Sequence, residues 1–148
     1  MKKLRRLVEE DVSSCFELLR NLSENYLSEN QLQGYGISHK NLYEAIVSQS
    51  VVGHVCSVGD QIAGFVFCDA SSGQILALYV LPKYEKRGIG RSLIEEMIET
   101  LKTRGFSHSF LASNPDKKTR SYGFYRWLGW KETGRYSSFG DEILAKVL

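Results

Sequence analysis

The chain has 148 residues, 43% hydrophobic and 24% charged, which is enough for one ordinary domain around a single core. A formal charge of +2, with Lys and Arg dispersed rather than clustered, disfavours nucleic acid as a partner. No segment approaches the ~18 apolar residues of a membrane span, and the basic opening Met1-Lys2-Lys3 lacks the apolar run of a signal peptide. A cytoplasmic protein without membrane contact is therefore expected. Cys15, Cys56 and Cys68 are odd in number and contain no C-x-x-C pair, so buried reduced thiols are expected and no metal site.

Along the chain, Lys3 to Val8 reads as a first strand, and Glu9-Glu10-Asp11 places negative charge where a helix would start. Val12, Cys15, Phe16, Leu18, Leu19 and Leu22 predict that helix to about Ser23. Tyr26 to His39 is polar and irregular, with Gly34-Tyr35-Gly36 at its centre. Ser38 is placed to cap a second helix that points Leu42, Ile46 and Val47 at a core. Val51 to Val58 and Gln61 to Asp69 predict two strands, and their link Gly59-Asp60 suits a hairpin.

Gln74 to Leu81 is apolar at nearly every position, as in a central strand buried on both faces, and Pro82 closes it. After it comes Lys86-Arg87-Gly88-Ile89-Gly90-Arg91 and then a helix whose Ile89, Leu93, Ile94, Met97, Ile98 and Leu101 form one stripe. Gly105 marks its end. Ser107 to Ala112 is a fifth strand, Asp116 to Leu128 another helix ended by Gly129, and Trp130 to Tyr136 and Glu142 to Leu148 are closing strands. With no repeat or linker, residues 1–148 form a single mixed α/β domain.

A strand, a short glycine loop and a helix make an anion site. The glycines let the backbone turn tightly, and the unpaired N–H groups of the first helical turn, aided by the helix dipole, attract phosphate. A P-loop needs Lys and Ser or Thr after its last glycine, and neither follows Gly88. A dinucleotide fingerprint needs a third glycine where Leu93 stands.

The segment instead resembles motif A of the GNAT superfamily of acyl-CoA-dependent N-acyltransferases, [QR]-x-x-G-x-[GA] between a central strand and a helix. Phe124-Tyr125-Arg126-Trp127-Leu128-Gly129-Trp130 is similar to the family's F-Y-x-x-x-G-[FW] element. The resemblance runs from about Gln74 to Gly129, with the family's order of elements on either side. It implies an α/β (α+β) fold: a central, mixed, mostly antiparallel sheet of about six to seven strands, with a splayed parallel pair and flanking helices. It also implies acetyl-CoA as acyl donor. Lys86, Arg87, Gly88, Ile89, Gly90 and Arg91 would hold its pyrophosphate, and Leu78, Tyr79 and Val80 would line the pantetheine and thioester.

Chemically, a neutral amine must attack a thioester, although an alkyl amine with pKa about 10 is mostly protonated near pH 7. By the resemblance, the Val80 backbone N–H would stabilise the oxyanion, and Tyr125 would protonate the departing thiolate and contact the cofactor. Direct transfer in a ternary complex needs no covalent intermediate, so neither Cys56 nor Cys68 is assigned as nucleophile. Gln74 stands where many relatives carry a basic Glu, leaving His54, His108 or a water chain as alternatives.

Two departures stand out. Glu85 occupies the motif's Gln or Arg position, where its charge needs to turn away or pair with Lys86 or Arg87; and Asn114 lies eleven residues before Tyr125 rather than the family's usual seven. The acceptor is expected to be a primary amine, of a small molecule in preference to a peptide or protein, and a homodimer is compatible with the family. A CoA-binding module without catalysis is the alternative that Gln74 and Glu85 motivate.

Overall fold

A computed structural model describes residues 2–20 and 38–148. In chain order these form β1 (Lys2–Arg6), α1 (Val12–Arg20), α2 (His39–Ser48), β2 (Val51–Val58), β3 (Gln61–Asp69) and β4 (Gln74–Val80). There follow α3 (Ile89–Thr103), β5 (His108–Ser113), α4 (Arg120–Trp127), β6 (Lys131–Tyr136) and β7 (Glu142–Val147). Single 3-10 turns occupy Glu9–Asp11 and Pro82–Tyr84. Tyr26, Tyr35 and the Gly34/Gly36 loop lie outside the described residues.

The strands form one seven-stranded sheet in the order β1-β2-β3-β4-β5-β7-β6. Every neighbouring pair is antiparallel except β4 and β5. This is the mixed, mostly antiparallel sheet with one parallel pair that the sequence predicts. Gly59, at φ 62, supplies the left-handed turn of the β2–β3 hairpin.

Apolar side chains on the two faces of the sheet build separate halves of the core. On one face, Leu93, Ile94, Met97 and Leu101 of α3 pack against Val52, Cys56, Val66 and Leu78. All six residues of the expected α3 stripe are buried, each gaining about 1.5–3 kcal/mol over exposure. On the other face, Val12, Cys15 and Phe16 of α1 and Leu42 and Ile46 of α2 cover Val55, Phe65, Phe67 and Tyr79. Burial pushes the Cys15 and Cys68 thiols up to about 12, which keeps them protonated.

Two local features fix how β4 runs. Its pairing with β3 passes from Phe67 opposite Ala77 to Cys68 opposite Ile75, so Leu76 is an extra residue, a β-bulge. Its pairing with β5 covers only Gln74 with Phe110 and Ile75 with Leu111. The bulge thus falls where the parallel strands part. It also shifts the side-chain alternation: Ile75 and Leu78 join the core on the α3 face, while Leu76 and Tyr79 join the opposite one.

Ser38 caps α2, its hydroxyl accepting from Asn41 N–H at 3.1 Å, as its sequence position predicts. Val47, expected in the core, is 56% exposed: Leu42 and Ile46 share the buried face of α2, and Val47 lies one residue round from it. The helix expected from Asp116 begins only at Arg120. Asn114 Oδ1 accepts from Asp116 N–H and Asp116 Oδ1 from Lys118 N–H, each at 2.9 Å, so side chains compete with the helical ladder there.

His54 on β2 ties the sheet to α3 through a 2.8 Å bond from Nε2 to Thr100 Oγ1. Thr100 donates its own hydroxyl hydrogen to Glu96 O, so it accepts from His54 and fixes the Nε2–H tautomer. Burial lowers the imidazole below its usual 6.5, with smaller opposing effects of Glu96, which raises it, and Arg6, which lowers it. Above pH 6.5 both folded and unfolded forms carry this histidine neutral; below it the unfolded form binds the proton first. Thermal stability should therefore decline as the pH falls below 6.5. His54→Gln, which retains a donor for Thr100, should flatten that decline in thermal unfolding followed by circular dichroism.

Candidate functional site

Where β4 leaves β5, one wall of the gap is a strand edge without a strand partner among the described residues. Leu81 N–H donates to Ala63 O of β3 at 2.8 Å, and a Cβ at Gly64 would lie 2.6 Å from Tyr79 O. Backbone groups alternate between the two edges of a strand. Tyr79 and Leu81 therefore turn toward β3, and Leu78 and Val80 turn their N–H and C=O toward the gap.

The loop after β4 forms the second wall. Gly88 is the N-cap of α3 at φ 78, a left-handed conformation that glycine adopts without a Cβ clash. No side chain caps this end and no acid occupies the first turn. The first i to i−4 bond runs from Ser92 N–H to Gly88 O at 3.0 Å, so the preceding amides of Ile89, Gly90 and Arg91 have no helical acceptor. They are the donors an anion needs. At Gly90 a Cβ would stand 3.4 Å from Phe124 Cζ and 3.7 Å from Val80 Cγ2, so a longer side chain would enter the same space.

Helix α4 is the third wall. Tyr125 is 7% exposed, its ring edge-on to Phe124 at 5.2 Å and to Trp130 at 6.2 Å between centroids. Trp130 is itself 2% exposed, whereas Trp127 stands 68% exposed at the rim with the Arg91 guanidinium 5.3 Å over its ring.

These walls enclose a cavity of about 400 Å³. Of the residues singled out in the sequence, the structure gathers Leu78, Val80, Lys86, Gly88, Ile89, Gly90, Arg91 and Tyr125 around it. Two do not line it. Tyr79 faces the other side of the sheet, packed on Phe65 at 5.8 Å, because the bulge at Leu76 assigns its side chain there and β3 takes its backbone. Arg87 turns away to place its guanidinium 5.5 Å from the Tyr84 ring centroid. Lys86, by contrast, holds a left-handed conformation at φ 64.

Other expectations resolve at the same place. Glu85 pairs with Arg120, not with Lys86 or Arg87. Asn114 spends its Oδ1 on Asp116 N–H. Neither His54 nor His108, whose Nδ1 lies 2.9 Å from Ser107 Oγ, lines the cavity. Tyr84, Glu85, Arg120, Ser121, Phe124 and Trp127 also line it without having been singled out as binding residues. For Phe124 and Trp127 the signal was present, since both belong to the aromatic run around Tyr125. Among the described residues, no group of three or more His, Cys, Asp or Glu side chains is arranged to hold a metal.

The chemistry available is that of an anion-binding helix end, an apolar trough with an unpaired strand edge, and a phenol in its wall. An elongated molecule with a phosphate at one end and a hydrogen-bonding chain behind it fits all three.

Comparisons with known proteins bear on this geometry. The model of the family described as Acetyltransferase (GNAT) matches residues 7–130. Among solved structures, the fold is similar to PaiA N-acetyltransferase from Thermoplasma acidophilum in complex with coenzyme A, at 23% identity and TM-score 0.79 over 100% of this chain and 99% of that one. It is also similar to an acetyltransferase of the GNAT family from Staphylococcus aureus, at 14% identity and TM-score 0.78 over 100% and 99% of the two chains. Ard1 from Thermoplasma volcanium aligns at 16% identity and TM-score 0.75 over 99% and 97%. At these identities the likeness is one of fold. No curated protein matches the chain.

Replacing Gly88 with Ala should cost about 1–2 kcal/mol through the left-handed N-cap. It should appear as a lower urea midpoint with an unchanged slope, since no packed neighbour lies closer than Lys2 Nζ at 4.0 Å.

Proposed function

The chain belongs to the acetyltransferase (GNAT) family, and from that premise we propose that it transfers the acetyl group of acetyl-CoA to a primary amine of a small molecule, directly, in a ternary complex. The observation that carries this reading is the coincidence, around one cavity, of an uncapped helix start, the unpaired edge of β4 and Tyr125. The resemblance in fold to a protein bound to coenzyme A supports the choice of donor.

Acetyl-CoA would supply an activated thioester and a good leaving group. The loop amides from Ile89 to Arg91 bind its pyrophosphate, helped by Lys86 and Arg91. Leu78 and Val80 present backbone groups to the pantetheine as an added strand would, and their side chains give it an apolar wall. Val80 N–H stabilises the oxyanion as the neutral amine attacks, Tyr125 donates a proton to the sulfur as the C–S bond breaks, and the proton the nitrogen loses passes through water and restores the phenol. Tyr79 and Arg87 act, in this reading, by packing around the site rather than by touching the donor. His54 is given a structural role, and no histidine is assigned as base.

Incubation of the purified chain with acetyl-CoA and a panel of small amines, peptides and proteins, followed by detection of free thiol, tests the reading. Release with at least one small amine is expected. Turnover with peptides alone would reassign the acceptor, and tight CoA binding with no thiol from any acceptor would make the protein a binding module. Tyr125→Phe should lower kcat about 100-fold while the acetyl-CoA dissociation constant stays within about twofold. An unchanged kcat would remove Tyr125 as the acid.

A further inference from the structure

Among the described residues lining the cavity, Glu85 is the acidic one, and it stands on the loop that precedes the anion-binding helix. A bare carboxylate there would repel the phosphates of the donor. Its oxygen is instead bonded by Arg120 Nη1, so the ion pair spans from the loop after β4 to the first residue of α4. With side-chain exposures of 53% for Arg120 and 26% for Glu85, the pair does little for stability. Its consequence lies in the charge it presents to the cavity.

Resting on the acyl-CoA reading above, we infer that Arg120 is a phosphate-binding residue of the donor site and that Glu85 is its positioning residue. Lys86 and Arg91 line the cavity as well. Arg91 is held by Glu95 at 2.6 Å and lies over Trp127, and Arg87 lies over Tyr84 outside the cavity. Arg120 lines the cavity from the start of α4. Its planar guanidinium carries its N–H donors in a fixed fork, so the bond that anchors Nη1 to Glu85 also fixes the plane of the group beside the cavity. Glu85 thereby replaces the direct contact of a Gln or Arg at its position with an indirect one, recruiting a cation from a helix 35 residues further along the chain.

The test is a double-mutant cycle read by calorimetric titration with acetyl-CoA and with S-acetyl-pantetheine, which has no pyrophosphate. Arg120→Gln should weaken acetyl-CoA binding about tenfold, because it removes a charge-assisted donor and uncovers Glu85. Adding Glu85→Gln in that background should restore part of the loss, whereas Glu85→Gln alone should not tighten binding. Arg120→Lys should fall between. For S-acetyl-pantetheine all variants should match the wild type, which a merely structural role of the pair would not produce. Unchanged acetyl-CoA affinity in Arg120→Gln, equal losses for both donors, or tighter binding by Glu85→Gln alone would each overturn the assignment. If the wild-type protein itself bound no acetyl-CoA, the acyl-CoA reading would fall and this inference with it; wild-type binding without coupling removes only the inference.

Discussion

The separation of β4 from β5 after Ile75 is the constraint on which the rest of the molecule depends. A sheet interior normally satisfies every backbone group, and leaving buried N–H and C=O groups unpaired costs free energy that water or a ligand must offset. Here the gap is held open by well-packed structure on both sides. β4 is anchored to β3 along its length, and β5 is paired with β7 from His108 through Ser113. Each strand thus follows the course of its outer partner rather than that of the other. The bulge at Leu76 bends β4 and also directs Leu78 and Val80 to the side where α3 and α4 lie.

Charge is arranged around the gap with a similar economy of means. The start of α3 has neither a side-chain cap nor an acid in its first turn, so its partial positive charge faces the cavity undiminished. Elsewhere, an equivalent demand is met internally: Asp11, at the turn between β1 and α1, accepts two 2.8 Å bonds from Arg5 and one of 2.9 Å from Val8 N–H. Burial alone would raise that carboxyl, and the hydrogen bonds outweigh it, leaving it lowered. One helix region is sealed by its own chain, and the other is left open toward the cavity.

Local signals carried most of the fold into the sequence. The β2–β3 hairpin, the Ser38 cap, the stripe of α3 and the glycine loop each depend on residues within a few positions of one another, and all are found where the pattern placed them. What the pattern missed involves contacts distant in sequence or a change of phase. Tyr79 was grouped with Leu78 and Val80 by resemblance over a continuous segment, whereas alternation along a strand turns it to the opposite face from its two neighbours, and the bulge at Leu76, which no apolar run reveals, sets which face that is. Glu85 was expected to turn away or to pair with Lys86 or Arg87, because its partner Arg120 belongs to a helix 35 residues along the chain. The start of α4 was set too early because Asp116 reads as a good helix opening, yet its carboxylate serves the turn before it.

The two tryptophans of the chain occupy opposite environments within one short segment. Trp130 is sealed in the core beside Tyr125, and Trp127 stands in solvent at the rim of the cavity under Arg91. Their intrinsic emission therefore separates two events that one signal usually confounds. A molecule entering the cavity meets the exposed Trp127 first, while loss of tertiary structure is what brings Trp130 into water. The protein carries its own pair of optical reporters, one for occupancy and one for integrity.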